Sequence, residues 1–203
     1  MSNTVALIDY GAGNLQSVRN ALKAAGAENI IVTSHPEDVL AADRIVLPGV
    51  GAFAHCMGAL SAIDGMIEAL TDVTGAKARP FLGICVGMQL MAQAGHEHGT
   101  TAGLGWAQGD VWLMEPADPA TKIPHMGWND VIPSAPHPLI VPGEAYFLHS
   151  YAYRGADVLA TTNHEGPVVA AIGRDNRIGV QFHPEKSQAY GLAFLSRFLD
   201  WTP

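Results

Sequence analysis

The chain has 203 residues, enough for one substantial core and short for two, so a single domain over residues 1–203 is expected. Hydrophobic residues make up 48% and charged residues 15%, with 22 glycines and 13 prolines spread along the chain, which excludes a disordered or fibrous protein. The formal net charge of -8, with no cluster of Lys and Arg, argues against nucleic acid as a partner.

Met1–Tyr10 has no basic lead and carries Asp9 in its apolar run, and no stretch approaches the ~18 uninterrupted apolar residues of a membrane span. A cytoplasmic protein without a membrane segment is expected. Two cysteines, Cys56 and Cys85, are too few for a disulfide framework, so each is read singly.

In chain order, Val5–Asp9 is an apolar strand, followed by a glycine turn and by Ser17–Ala25 with helical spacing, stopped by Gly26. Ile30–Thr33 is a short strand, Pro36–Ala41 a short helix and Arg44–Leu47 another strand. This βαβ rhythm predicts a mostly parallel sheet with helices on both faces. After Pro48–Phe53 comes a helix over His55–Leu70, then a strand at Pro80–Ile84 and a helix at Met88–Ala94 closed by Gly95.

From Gly105 the pattern changes. Val111–Met114, Asn129–Ile132, Ala145–Ala152, Val158–Thr162, Val168–Gly173 and Ile178–Phe182 all have the composition of strands. Arg174–Arg177 is a hairpin turn, and a helix over Ala189–Trp201 closes the chain. Two Pro-rich stretches, Glu115–Lys122 and Pro133–Gly143, are expected as surface loops. The whole is a three-layer α/β domain with antiparallel additions.

Gly83-Ile84-Cys85-Val86-Gly87 places a cysteine between an apolar strand and a helix, in the G-x-C-x-G form of a nucleophile elbow. A sharp strained turn lifts the side chain out of the sheet, and the flanking glycines let neighbouring backbone approach. The helix N-terminus favours thiolate over thiol, and the Val86 N–H is placed to serve an oxyanion. A lone cysteine is more often a small buried hydrophobe, and that alternative stands for Cys85 on this segment alone. Cys56 has no such setting and belongs to the core or to a helix surface.

Farther on, Phe182-His183-Pro184-Glu185 puts a histidine at the end of an apolar strand with a carboxylate two residues later. A strand repeats its facing every two residues, so Glu185 can accept from the His183 ring. Read alone, this is a surface histidine beside a surface glutamate. With an elbow cysteine elsewhere in the chain it supplies base and orienter, in the order Cys, His, Glu.

Six stretches carry a resemblance that spans nearly the whole chain. They are Asp9-Tyr10-Gly11-Ala12-Gly13-Asn14-Leu15, Pro48-Gly49-Val50-Gly51-Ala52-Phe53, Gly83 to Gln89, His125-Met126-Gly127-Trp128-Asn129, Phe147-Leu148-His149-Ser150-Tyr151 and Gln181 to Ser187. Together they resemble the class I, triad-type glutamine amidotransferases, and within them the glutaminase subunits of imidazole glycerol phosphate synthases.

The resemblance implies a flavodoxin-like α/β domain that hydrolyses glutamine to glutamate and ammonia through Cys85, His183 and Glu185, with no cofactor and no metal. It implies an oxyanion hole from Val50, Gly51 and Val86, and glutamine binding by Gln89, Glu97, Ser150 and Tyr151. It also implies a heterodimer with a (β/α)8-barrel cyclase, faced by Asn14, Trp128 and Lys186. That partner would consume the ammonia and form imidazole glycerol phosphate and AICAR in histidine biosynthesis.

Competing readings are weaker. Gly11-Ala12-Gly13 begins a dinucleotide fingerprint, but Gln16 stands where its third glycine belongs. His96-Glu97-His98 has the spacing of two metal ligands without a cysteine nearby, and no metal is assigned. Peptidase- or deglycase-like cysteine hydrolases of the same fold place histidine directly after the cysteine, where this chain has Val86. A non-catalytic subunit conflicts with an intact triad. Sister glutaminases, such as those of anthranilate or pyridoxal phosphate synthesis, are the nearest rivals, and the Gly127-Trp128-Asn129 and Glu185-Lys186-Ser187 elements count against them.

Overall fold

Residues 3–118 and 120–203 are described by a computed structural model of the chain. Met1, Ser2 and Pro119, which fall in the expected N-terminal stretch and in the expected Glu115–Lys122 loop, lie outside the described residues.

The first half alternates as expected: β1 (Thr4–Ile8), α1 (Leu15–Ala24), β2 (Asn29–Thr33), α2 (Pro36–Ala41), β3 (Arg44–Gly49), α3 (Phe53–Ser61), α4 (Met66–Thr74), β4 (Phe81–Cys85) and α5 (Val86–Gln89). The second half is β5 (Ala94–Gly95), β6 (Thr101–Ala102), β7 (Gly109–Leu113), β8 (His125–Pro133), β9 (Gly143–His149), β10 (Tyr151–Gly155), β11 (Val158–Asn163), β12 (Pro167–Arg174), β13 (Arg177–Val180) and α6 (Gln188–Asp200). Among the described residues no helix is long and apolar enough to cross a membrane.

Local chemistry explains the boundaries. Asn14 Oδ1 accepts from the Ser17 N–H at 3.3 Å and starts α1, which buries Val18, Ala21 and Leu22 on one face and stops before Gly26 at φ +111°. Val5–Ile8 and Ile45–Leu47 are wholly buried, the unbroken apolar run of a parallel strand covered on both sides. Arg174 pairs with Arg177 across a turn in which Asp175 takes φ +55°.

Three expected elements differ. The helix over 55–70 is two helices, because Gly65 adopts φ +78° between them. The helix over 88–94 stops after one turn: the carbonyls of Leu90, Ala92 and Gln93 accept from Leu104, Gly105 and Gly103 instead of from the next helical turn. The strand over 145–152 breaks at Ser150, where the chain leaves one sheet for another.

The larger sheet has the order β2-β1-β3-β4-β13-β12-β11-β8-β9. Its first five strands are parallel, and counted along the chain they run 2-1-3-4-5, the flavodoxin-like order. The other four add antiparallel. α1 packs with α6, and α2 and α3 pack with α4, giving a helical layer on each side. A smaller sheet, β10-β7-β5-β6, stands beside them. The carboxyl ends of β3, β4 and β13 lie side by side.

Candidate active site

Cys85 ends β4 at φ +54° and ψ −111°, a backbone that a residue with a side chain adopts at a cost of roughly 1–3 kcal/mol. Three glycines make the turn possible. A Cβ on Gly83 would lie 2.6 Å from the Gly87 carbonyl oxygen, one on Gly49 would lie 2.7 Å from the Gly87 nitrogen, and one on Gly87 would overlap the Leu47 carbonyl. Strand, elbow and the following turn therefore close on one another, with the thiol carried on the rim of the sheet. Because α5 is one turn, the dipole expected behind Cys85 is that of a single turn only.

β13 lies parallel to β4 with Val180 opposite Ile84, so the chain leaving β13 passes the elbow. Alternation then sends Gln181 and His183 to one side. Phe182 goes to the other, against Phe147, Tyr190 and Phe194. The His183 N–H donates to the Tyr146 carbonyl at 2.8 Å, and Ser187 Oγ donates to the His183 carbonyl at 2.6 Å. A 3-10 turn over Pro184–Lys186 folds Glu185 back, so that its Oε1 lies 2.8 Å from His183 Nδ1 with both side chains buried. On its other side the imidazole neighbours Cys85, close enough for the sulfur to act on its charge. Burial alone would push the imidazole pKa down. The neighbouring Cys85 sulfur and Glu185 carboxylate outweigh it and raise the value to about 10.

Beside the thiol is a cavity of about 150 Å³. Val50, Gly51, Val86, Gln89, Glu97, Ser150 and Tyr151 line it, together with Leu148 and His149. Gln89 Nε2 donates to the Tyr151 carbonyl at 3.0 Å. Glu97 Oε2 accepts from the Phe53 N–H at 2.9 Å and so closes the first turn of α3. A larger cavity, about 410 Å³, lies between the 114–117 and 164–169 segments and holds neither Cys85 nor His183.

Asn14, Trp128 and Lys186 are outside this cavity and exposed. Trp128 and Lys186 meet the same ring: Trp128 stands edge-on to Tyr146 at 6.2 Å and Lys186 Nζ lies 5.8 Å above it. Asn14 is occupied as the cap of α1. Among the described residues no group of three His, Cys, Asp or Glu side chains is placed to hold a metal.

Other contacts escaped the sequence. Cys56 is core, and its thiol donates to the Val50 carbonyl at 3.3 Å, while the Tyr10 hydroxyl donates to the Pro48 carbonyl at 2.7 Å, so both brace the loop beside the cavity. Gln181 Nε2 reaches Cys85 Sγ at 3.6 Å. Strand alternation between Gln181 and His183 was the available signal for that one. His125 and His149 touch each other at 3.1 Å, with His149 at the cavity wall, a pairing set by the β8–β9 register, which the sequence does not reveal.

Comparisons with known proteins give the family. The family model described as glutamine amidotransferase class-I matches residues 6–200. An imidazole glycerol phosphate synthase subunit HisH of Zymomonas mobilis is 62% identical over 208 residues, covering 100% of this chain and 98% of that protein. The same subunit of Rhodospirillum rubrum is 55% identical over 98% of this chain and 99% of its own. Among solved structures, a glutamine amidotransferase superposes with a TM-score of 0.73 at 16% identity, covering 96% of this chain and 98% of its own. PurLQS from Thermotoga maritima gives 0.70 at 17% identity, over 98% and 97%. At such identities the structures speak for the fold alone, whereas the family model and the sequence relatives cover the chain end to end, and the chain belongs to the class I glutamine amidotransferases.

Proposed function

We propose that this chain is the glutaminase subunit of an imidazole glycerol phosphate synthase and that it hydrolyses glutamine to glutamate and ammonia. The observation that carries the reading is a strained elbow thiol beside an imidazole that is bonded to a buried carboxylate, in a chain 62% identical to a subunit of that synthase.

Glutamine lies in the cavity beside Cys85, its α-amino and carboxylate end against Gln89, Glu97, Ser150 and Tyr151. The Cys85 sulfur attacks the side-chain amide carbon. Negative charge passes to the amide oxygen, which the N–H groups of Val86 and of the Val50–Gly51 segment stabilise. His183, protonated and held by Glu185, gives its proton to the amide nitrogen as the C–N bond breaks; ammonia leaves and a thioester remains. His183 then takes a proton from water, hydroxide adds to the thioester carbonyl, and the C–S bond breaks to release glutamate and restore the thiolate.

The ammonia passes to a cyclase subunit, a (β/α)8 barrel in a heterodimer with this chain, which forms imidazole glycerol phosphate and AICAR in histidine biosynthesis. Trp128 and Lys186, gathered on Tyr146, and Asn14 on the cap of α1 make up part of the docking face. Support comes from their exposure and from the absence of any catalytic task for them. The test is nitrogen-source dependence. Cys85→Ala should abolish glutamine-supported synthesis by the complex and leave ammonia-supported synthesis intact, whereas equal loss with both sources overturns the assignment.

A further inference from the structure

Gln181 takes no part in the steps above, yet it is wholly buried and its amide lies 3.6 Å from the Cys85 sulfur. Which end of the amide faces the sulfur follows from a chain of fixed polarity that begins at a backbone carbonyl. The Tyr151 oxygen only accepts, so the Gln89 atom 3.0 Å from it is Nε2. The same Nε2 lies 3.0 Å from the Gln181 amide, whose facing atom is then Oε1. What remains for Cys85 is the NH2 group.

The carbonyl at the root of the chain is held from a second side. His149 Nδ1 donates to it at 2.9 Å, which leaves His149 Nε2 bare to accept from His125 Nδ1 at 3.1 Å. His125 Nε2 accepts in turn from Asn129 Nδ2 at 3.0 Å. Burial pushes both imidazoles down, His149 to about 3 and His125 to about 4, so both are neutral at physiological pH and the polarity of the chain is constant. His125 is further fixed by stacking on Phe147 at 4.9 Å and on His164 at 4.4 Å. Tyr151 sits where the chain changes sheets, so its carbonyl is pinned at the seam between them.

We propose that Gln181 is a positioning residue of the glutaminase reaction: its amide N–H, aimed by Gln89 and the Tyr151 carbonyl, holds the Cys85 sulfur on the cavity side and stabilises its negative charge. The proposal rests on the glutaminase reading given above. A donor to an anionic sulfur is a charge-assisted bond, roughly twice as strong as a neutral one. It therefore acts most before attack and again when the thiolate leaves in the second step. Gln181 does not border the glutamine cavity, so the contribution of its donor belongs to kcat, whereas its acceptor reaches KM only through Gln89.

The experiment uses Gln181→Met, of similar length without a donor, and Gln181→Glu, which keeps the acceptor for Gln89 but turns an oxygen toward the sulfur. Each full chain is assayed with the cyclase for ammonia release, and alone for the rate at which iodoacetamide alkylates Cys85, with the adduct mapped. Gln181→Met should lower kcat and the alkylation rate by about tenfold each, and Gln181→Glu, which keeps Gln89 in place, should lose more in both with KM within about twofold. A folded Gln181→Met chain whose kcat and alkylation rate stay within twofold of the unmodified protein overturns the proposal, as does a loss confined to KM. If neither variant folds, the unmodified chain decides by NMR: alkylation of Cys85 should shift the Gln181 side-chain amide resonances, and unmoved resonances overturn the contact. Failure of the unmodified complex to release ammonia sinks the glutaminase reading instead, while the alkylation arm still judges Gln181.

Discussion

Glu185 Oε1 lies 2.8 Å from His183 Nδ1, while Oε2 of the same carboxylate is buried and has no hydrogen-bond partner among the described residues. A carboxylate withdrawn from water with half of its accepting capacity unused is costly unless a charge faces it. The imidazolium of His183 is that charge, and the raised pKa of His183 is the other side of the same interaction. Glu185→Gln keeps the shape, removes the charge and can present an N–H to Nδ1, which forces the wrong tautomer. In a comparable triad the equivalent change lowers kcat by about 10⁴. Here kcat should fall by about 10²–10⁴ with KM little changed, since Glu185 does not border the cavity. Steady-state kinetics of the complex check this, and a fall under tenfold contradicts the orienting role.

The two thiols differ in access more than in burial. Cys56 and Cys85 are both shielded from solvent, but only Cys85 borders the 150 Å³ cavity. Burial also pushes the Cys56 thiol up, and its proton is engaged by the Val50 carbonyl. A glutamine analogue carrying an electrophile should therefore modify Cys85 alone, and excess free glutamine should slow the labelling. Peptide mapping reads the outcome; an adduct on Cys56 would refute the cavity as the glutamine site.

The parallel half of the fold was legible in the sequence because its signals are local: apolar runs such as Val5–Ile8 and Ile45–Leu47, and a stop at Gly26. The elbow and the His-Pro-Glu segment were legible for the same reason. What failed was decided by distant partners. Residues 90–94 have helical composition, but a loop ten or more residues further along takes their carbonyls. Ala145–Ala152 is one apolar stretch, yet Ser150 divides it between two sheets whose pairing partners, β8 and β7, are set elsewhere. The hydrogen-bonded chain behind Cys85 likewise joins residues separated by up to 96 positions, and no periodicity records that.

The buried histidine pair makes stability depend on acid. For His125 and His149 the folded-state pKa lies below the unfolded value of about 6.5, so below that pH the unfolded chain binds protons that the folded chain refuses. Stability therefore falls as pH drops from about 6.5 toward about 4, by roughly 1.4 kcal/mol per pH unit for each of the two. His137, also lowered by burial, adds in the same direction. His183 does not offset this window, because with its pKa raised it stays protonated when folded, and its contribution is lost only as pH rises toward about 10. Urea unfolding at pH 7, 5.5 and 4.5 measures the slope. An unchanged midpoint between pH 7 and 5 would show that the pair titrates normally in the folded protein.

The loop beside the cavity sets the last expectation. Pro48-Gly49-Val50-Gly51 is braced at two carbonyls, Pro48 by the Tyr10 hydroxyl and Val50 by the Cys56 thiol. Gly51 takes φ +98°, and Gly49 is packed too closely against Gly87 to carry a side chain. Glycines on either side of Val50 permit its amide to turn toward the cavity or away from it, and Val50 itself is 43% exposed, open to a partner docked above. A missing oxyanion donor costs the transition state ~2.7–4 kcal/mol, about a hundred- to a thousandfold in rate, without touching the groups that hold glutamine. The isolated chain should then be nearly silent as a glutaminase, and the cyclase loaded with its own ligand should raise activity mainly in kcat. A ligand achieves that only by binding the active arrangement more tightly than the inactive one. Kinetics of the lone chain, the complex and the ligand-loaded complex decide it: a lone chain that already turns over at the stimulated rate leaves the loop with nothing to switch.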